Sequence, residues 1–192
     1  LFAASFPERA SGLILMNSTP RGLWAPDWPG GWTAEEWEEN AAVIDAGWGT
    51  LAFTEEWFRW MAPDHTQDAA SVARLARLLR AALSPGAMIA INQMLRDADV
   101  RAILPTIQVP TLVLHATDNP VEPIESGRYL AERIPGATFV ELPYPDHTLM
   151  WENADPVIEN IDRFARRIQH DETEFDRVLA TVLFTDIVAS TA

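Results

Sequence analysis

Apolar positions along the chain follow two spacings, and the change from one to the other divides it. Short apolar runs at Ser11-Gly-Leu-Ile-Leu-Met-Asn-Ser18 and Thr111-Leu-Val-Leu-His115 have strand length and no polar alternation, which predicts strands buried on both faces of a parallel sheet. Thr138-Phe-Val-Glu-Leu142 predicts a further strand. From Thr19 to about Val100 the spacing becomes helical. Thr33-Ala-Glu-Glu36 is a capping box opening a helix to about Ala46, with Trp37, Ala41 and Ile44 on one face. A second helix is predicted from Thr54, carrying Trp57, Phe58 and Met61. Val72, Leu75, Ala76, Leu79 and Leu83 predict a third that Pro85-Gly86 ends, and Met88, Ile91 and Leu95 mark a fourth.

The flanks complete this pattern. Leu1 to Arg9 reads as the end of a helix, and Leu104 to Pro110 as an extended return to the sheet. A helix over Ile124 to Ile134 has Leu130 and Ile134 on one face and stops at Pro135-Gly136. Asp155-Pro156 is an N-cap and first-turn pair for a closing helix whose buried stripe is Val157, Ile158, Ile161, Phe164 and Ile168.

The order strand, acidic turn, helix, strand, histidine loop is where candidate chemistry enters. Asp118 and Asn119 follow the strand at Thr111, and His147 follows the strand at Thr138. Two strands of one parallel sheet bring both turns to the carboxyl edge, where open α/β sheets bind ligands. Seven of the eight tryptophans lie between Trp24 and Trp60, and this helical insertion reads as a cap. Trp24, Trp28 and Trp32, in Pro/Gly-rich loop sequence, are the candidates for lining an apolar pocket; bulky residues packing helices on a sheet account for the tryptophans equally well.

Composition narrows the partners. With 14 basic and 28 acidic residues among 192, the net charge of −14 argues against nucleic acid and anionic membranes. No cysteine is present, so a disulfide framework and thiolate metal sites are excluded, which suits a cytoplasmic location. No apolar run approaches the roughly 18 residues of a membrane span. The chain opens on Leu1, which predicts a fragment.

These segments resemble an α/β-hydrolase. Phe2-Ala-Ala-Ser-Phe-Pro-Glu-Arg9 before an apolar strand is similar to the segment directly after the nucleophile elbow of α/β-hydrolases. Leu112-Val-Leu-His115, Gly127-Arg-Tyr-Leu-Ala-Glu-Arg-Ile-Pro-Gly-Ala137, Val140-Glu-Leu-Pro143 and Asp146-His147 look like the hydrolase-type domains some bacteria fuse to class III nucleotide cyclases. The resemblance implies a mostly parallel sheet with an inserted helical cap over about 19–100, incomplete because the serine elbow would lie before Leu1. No serine here has the flanking glycines of Gly-x-Ser-x-Gly. His147 would be the general base and Asp118 or Asn119 would fill the acid position; counting four residues back from Pro123 gives Asn119. The ligand would be a small apolar or ester compound with no cofactor, either hydrolysed or sensed by a non-catalytic regulatory domain.

A second resemblance begins after Gln169 and an acidic linker over 170–177. Val178-Leu-Ala-Thr-Val-Leu-Phe-Thr-Asp-Ile-Val-Ala-Ser-Thr191 is similar to the first strand of the ferredoxin-like α+β domain of class III adenylate and guanylate cyclases. By that likeness Asp186 and the carbonyl of Ile187 would hold Mg²⁺ or Mn²⁺, and Ala189, Ser190 and Thr191 would approach a nucleoside triphosphate. It further implies a homodimer through the remainder of that domain.

Overall fold

The computed structural model describes residues 1–63, 68–148 and 154–170. The β1 (Leu13–Met16), β2 (Thr111–Ala116) and β3 (Thr138–Leu142) strands form a parallel sheet in the order β1-β2-β3. Leu13 is opposite Thr111, and Leu112 is opposite Thr138. All six residues of β2 are buried, because it is the middle strand and covered on both faces. β1 departs from the expectation of full burial: it is shorter than predicted, and Ile14 and Met16 on one face stay more than a third exposed.

Two apolar layers clamp the sheet. Leu112, Leu114 and Leu142 pack with Val157 and Phe164 of a helix over 154–170. On the other face Val113 packs with Leu130 and Ile134 at the helix of Ile124–Arg133, and with Ala3 of the short helix Phe2–Ser5. The closing helix corrects two expectations. Ile158 is 50% exposed, one position round from the fully buried Val157, and Asp155, expected as the N-cap, lies within the helix with Pro156. The segment 101–106, predicted extended in part, forms a 3₁₀ turn with Pro105 inside it. Proline's fixed φ suits that turn, and burial of Leu104 holds it against the sheet.

The insertion is helical as predicted. We number its helices α1 (Ala34–Gly47), α2 (Leu51–Met61), α3 (Ala69–Ala82) and α4 (Pro85–Asp97), and the helix of Ile124–Arg133 α5. The capping box at α1 forms: the Glu36 amide donates to the Thr33 hydroxyl at 3.2 Å, and the Thr33 amide donates to the Glu36 carboxylate at 2.7 Å. α2 starts earlier than expected, because the side chain of Thr50 caps the amide of Phe53, while Thr54 is buried within the helix. Pro85-Gly86 opens α4 as well as ending α3, with the Ser84 hydroxyl accepting from the Ala87 amide and Pro85 in the first turn. Among the described residues no helix is long and apolar enough to cross a membrane.

Candidate functional site

The loop after β3 is held from two sides. Asn17, at the end of β1, adopts φ 43°, a left-handed conformation that asparagine tolerates better than most side chains. Its Nδ2 donates to the carbonyl of His147 at 2.7 Å and to that of Asp146 at 3.3 Å, while its Oδ1 accepts from the amide of Ala116 at 2.8 Å. One side chain thereby ties together the carboxyl ends of β1 and β2 and the histidine loop. From the cap, the carbonyl at Met61 accepts from the His147 amide at 2.7 Å.

Of the two candidates in the acidic turn, Asn119 faces the histidine. Its Oδ1 accepts from the amides of Val121 at 2.9 Å and Glu122 at 3.2 Å, drawing the side chain inward in an Asx-type turn. His147 Nδ1 lies 3.2 Å from both Oδ1 and Nδ2 of Asn119. Asp118 is exposed, so the carboxylate expected as an alternative partner points to solvent. If Nδ1–H donates to Oδ1, Nε2 is free to accept a proton; if Nδ2 donates to Nδ1, Nε2 carries the proton. Burial, with His115 adding, pulls the His147 imidazole down to about 4. His115 is itself fully buried in β2; its Nε2 lies 3.1 Å from the Glu122 carbonyl.

This edge opens on a cavity of about 410 Å³ beneath the cap, with His147, Glu122 and Thr19 among its lining residues. Of the three predicted pocket tryptophans only Trp32 lines it; its Nε1 donates to the Val121 carbonyl at 3.4 Å. Trp24 is 46% exposed. Trp28 is buried elsewhere, edge-on to Tyr129 at 5.0 Å, with its Nε1 bonded to the Arg21 carbonyl. The other indoles on the cavity are Trp37 and Trp57, which the helical spacing places on packing faces, and Trp60. A buried asparagine, Asn92, also lines it from α4, and its Nδ2 has no hydrogen-bond partner. The face predicted for α4 is thus reversed in part, with Leu95 47% exposed while Asn92 is buried.

Glu122 went unnoticed in the sequence and is the most perturbed acid here. Burial pushes its carboxyl up to about 7, and a hydrogen bond with the Thr19 side chain offsets only part of that. The one available signal was a lone carboxylate within Asn119-Pro-Val-Glu-Pro123, immediately after the turn that carries Asn119. Among the described residues no group of three or more His, Asp or Glu side chains is placed to hold a metal. Asp186, Ile187, Ala189, Ser190 and Thr191 lie outside the described residues.

No family model matches the chain. It is 27% identical over 178 residues to a pimeloyl-[acyl-carrier protein] methyl ester esterase of Chromobacterium violaceum, covering 90% of this chain and 65% of that protein. It is 26% identical over 171 residues to a probable esterase of Oryza sativa, covering 87% of this chain and 59% of that one. Among solved structures, the enol-lactonase of Burkholderia xenovorans superposes with a TM-score of 0.68 at 26% identity, over 86% of this chain and 60% of that one. The chain therefore spans less than two thirds of the length of these relatives, and the described part has the α/β-hydrolase fold.

Proposed function

We propose that the chain is the cap-bearing, histidine-supplying part of a serine hydrolase acting on a small ester or lactone. The observation that carries this is the pair Asn119–His147, 3.2 Å apart at the carboxyl edge of a parallel sheet and opening on a capped cavity. The likeness to esterases and an enol-lactonase supports the same chemistry.

In this mechanism His147 donates Nδ1–H to Asn119 Oδ1, leaving Nε2 to take the proton of a serine hydroxyl as its oxygen attacks the ester carbonyl. Collapse of the tetrahedral intermediate expels the alcohol, which takes that proton from Nε2. Water, deprotonated in turn by Nε2, attacks the acyl-serine, and collapse of this second intermediate breaks the serine ester, returns the proton from Nε2 to the serine oxygen and releases the acid. Because His147 is held well below its ordinary range, the base is unprotonated at neutral pH. An amide in the acid position stabilises the imidazolium less than a carboxylate does, and the same exchange in a comparable triad lowers kcat by about 10⁴. Turnover should accordingly be slow. The test is labelling of the native protein by a fluorophosphonate. Labelling that His147→Ala abolishes supports the mechanism, and absence of labelling in the wild type sinks it.

Asn119 in the acid position also favours a second reading, in which the cavity binds a ligand without turning it over and regulates another domain. The segment Val178 to Thr191 supports a class III cyclase as that domain through its resemblance alone. An aspartate carboxylate and a main-chain carbonyl are oxygen donors of the kind Mg²⁺ or Mn²⁺ takes, so Asp186 and Ile187 are proposed as ligands. Ala189, Ser190 and Thr191 would then meet a nucleoside triphosphate in a cytoplasmic homodimer. Loss of cyclic-nucleotide formation in Asp186→Ala is the expected result, and survival of metal-dependent activity removes the assignment.

A further inference from the structure

The cavity under the cap has a composition that hydrolysis of an uncharged ester does not require. Four indoles line it: Trp32, Trp37, Trp57 and Trp60. The Trp32 ring centroid lies 5.2 Å from that of Trp37 and 5.7 Å from that of Trp60, with planes tilted by 42° and 52°. The rings are turned against one another in a folded wall. An indole face carries the negative end of the ring quadrupole and is the best aromatic partner for a cation.

Among the described residues Glu122 is the only acidic side chain lining this cavity. The groups around it leave its charge without a partner. Arg21 also lines the cavity, but its Nε donates to the Leu23 carbonyl at 2.9 Å and its guanidinium to Asp99 at 3.1 Å. His147 is neutral at physiological pH, and His115, whose Nε2 meets the Glu122 main-chain carbonyl, is itself held low by burial. Thr19 is uncharged. Burying a carboxylate without a cation costs free energy, and the rise of Glu122 to about 7 reports that cost. A neutral apolar ligand would leave the ionised Glu122 without a cation. The net charge of −14 attracts cations to the protein as a whole.

Resting on the hydrolase reading only in taking this cavity as the substrate site, we infer that it accepts a small organic ammonium ion, held by the tryptophan wall and paired with Glu122. Under that reading the substrate is an ester or lactone carrying an ammonium group.

The test compares choline with its uncharged carbon isostere, 3,3-dimethylbutan-1-ol, by quenching of intrinsic tryptophan fluorescence. Choline should bind roughly tenfold or more tightly than the isostere near pH 8, the scale of a desolvated cation–π contact combined with a charge pair. Glu122→Gln should cut the choline preference several-fold, leaving only the part that the tryptophan wall supplies. A measurement on the wild type needs no variant to fold: choline affinity should rise several-fold from about pH 5 to about pH 8 as Glu122 ionises, while that of the isostere stays flat. Equal or tighter binding of the isostere, no binding of either ligand, an undiminished choline preference in Glu122→Gln, or a flat pH profile for choline would each overturn the inference. Fluorophosphonate labelling of the same samples separates the two ideas. Labelling without a choline preference sinks the ammonium site alone, and a choline preference without labelling sinks hydrolysis alone.

Discussion

Asn17 reaches across 130 positions of sequence to hold the main chain of His147, its Nδ2 donating to that carbonyl at 2.7 Å. The same amide accepts from Ala116, so the side chain fixes the histidine loop relative to the central strand. Two costs separate on mutation. Asn17→Gly loses the buried hydrogen bonds and should destabilise by about 1–3 kcal/mol. Asn17→Ala additionally forces an ordinary side chain to φ 43° and should cost roughly 1–2 kcal/mol more. Urea unfolding of both variants checks the order; an alanine variant as stable as the glycine variant would deny the backbone contribution.

Asn119→Asp places a carboxylate against His147 Nδ1. A negative neighbour favours the imidazolium, so the His147 pKa should rise from about 4 toward or above its ordinary value, as read from its ring proton shifts in an NMR titration. If the hydrolase mechanism holds, kcat in the native protein should increase at least about tenfold. A pKa that does not move would show that the two side chains do not face each other in solution.

The depressed histidine and the raised glutamate give opposite pH dependences of stability. His147 folds with a pKa near 4, below its unfolded value of about 6.5, so its contribution is present above pH 6.5 and lost as pH falls through 4. Glu122 folds with a pKa near 7, above its unfolded value of 4.5, so its contribution is present below pH 4.5 and lost as pH rises through 7. Glu122→Gln should therefore raise the Tm relative to wild type at pH 8 and not at pH 4. His147→Gln should flatten the loss of stability between about pH 6.5 and about pH 4. Parallel pH profiles for wild type and Glu122→Gln would contradict the burial of that carboxyl.

Gly127 on α5 lies against His115, where an added Cβ would come 2.6 Å from Nδ1 and 2.9 Å from the histidine Cβ. Both groups are rigid, since His115 is fully buried in the middle strand. Gly127→Ala should destabilise by about 1–3 kcal/mol through overpacking, despite alanine's better helix propensity. Gly86 in the first turn of α4 has nothing near its Cβ position, and Gly86→Ala serves as the control, with a change within about 0.5 kcal/mol or a slight gain.

The tryptophans separate wall from surface. Trp24→Ala should leave stability and ligand affinity close to wild type, because the ring is half exposed and outside the cavity. Trp32→Ala removes a ring from the cavity and its contacts with Trp37 and Trp60, and should weaken fluorescence-detected ligand binding by about tenfold. Equal effects from the two substitutions would argue against this cavity as the binding site.

Local sequence determined the elements. The apolar run at Leu112 to Leu114, the capping box at Thr33 and the helical spacing of Val72, Leu75 and Ala76 each specify their structure through near neighbours, and each formed as expected. The order of elements was also enough to bring the turn after β2 and the loop after β3 to one edge, because parallel strands share the direction of their carboxyl ends. Three things were settled only by tertiary contacts. Asn119, not Asp118, faces His147 because the amides of Val121 and Glu122 capture its oxygen, a choice invisible in two adjacent polar residues. Trp24, Trp28 and Trp32 share one loop but go to solvent, to Tyr129 and to the cavity, since their placement depends on which distant surface each meets. Glu122 becomes a strongly perturbed acid only because the assembled fold buries it beside the cavity, against the opposing hydrogen bond with Thr19, and desolvation is a property of the surroundings that no single stretch of chain carries.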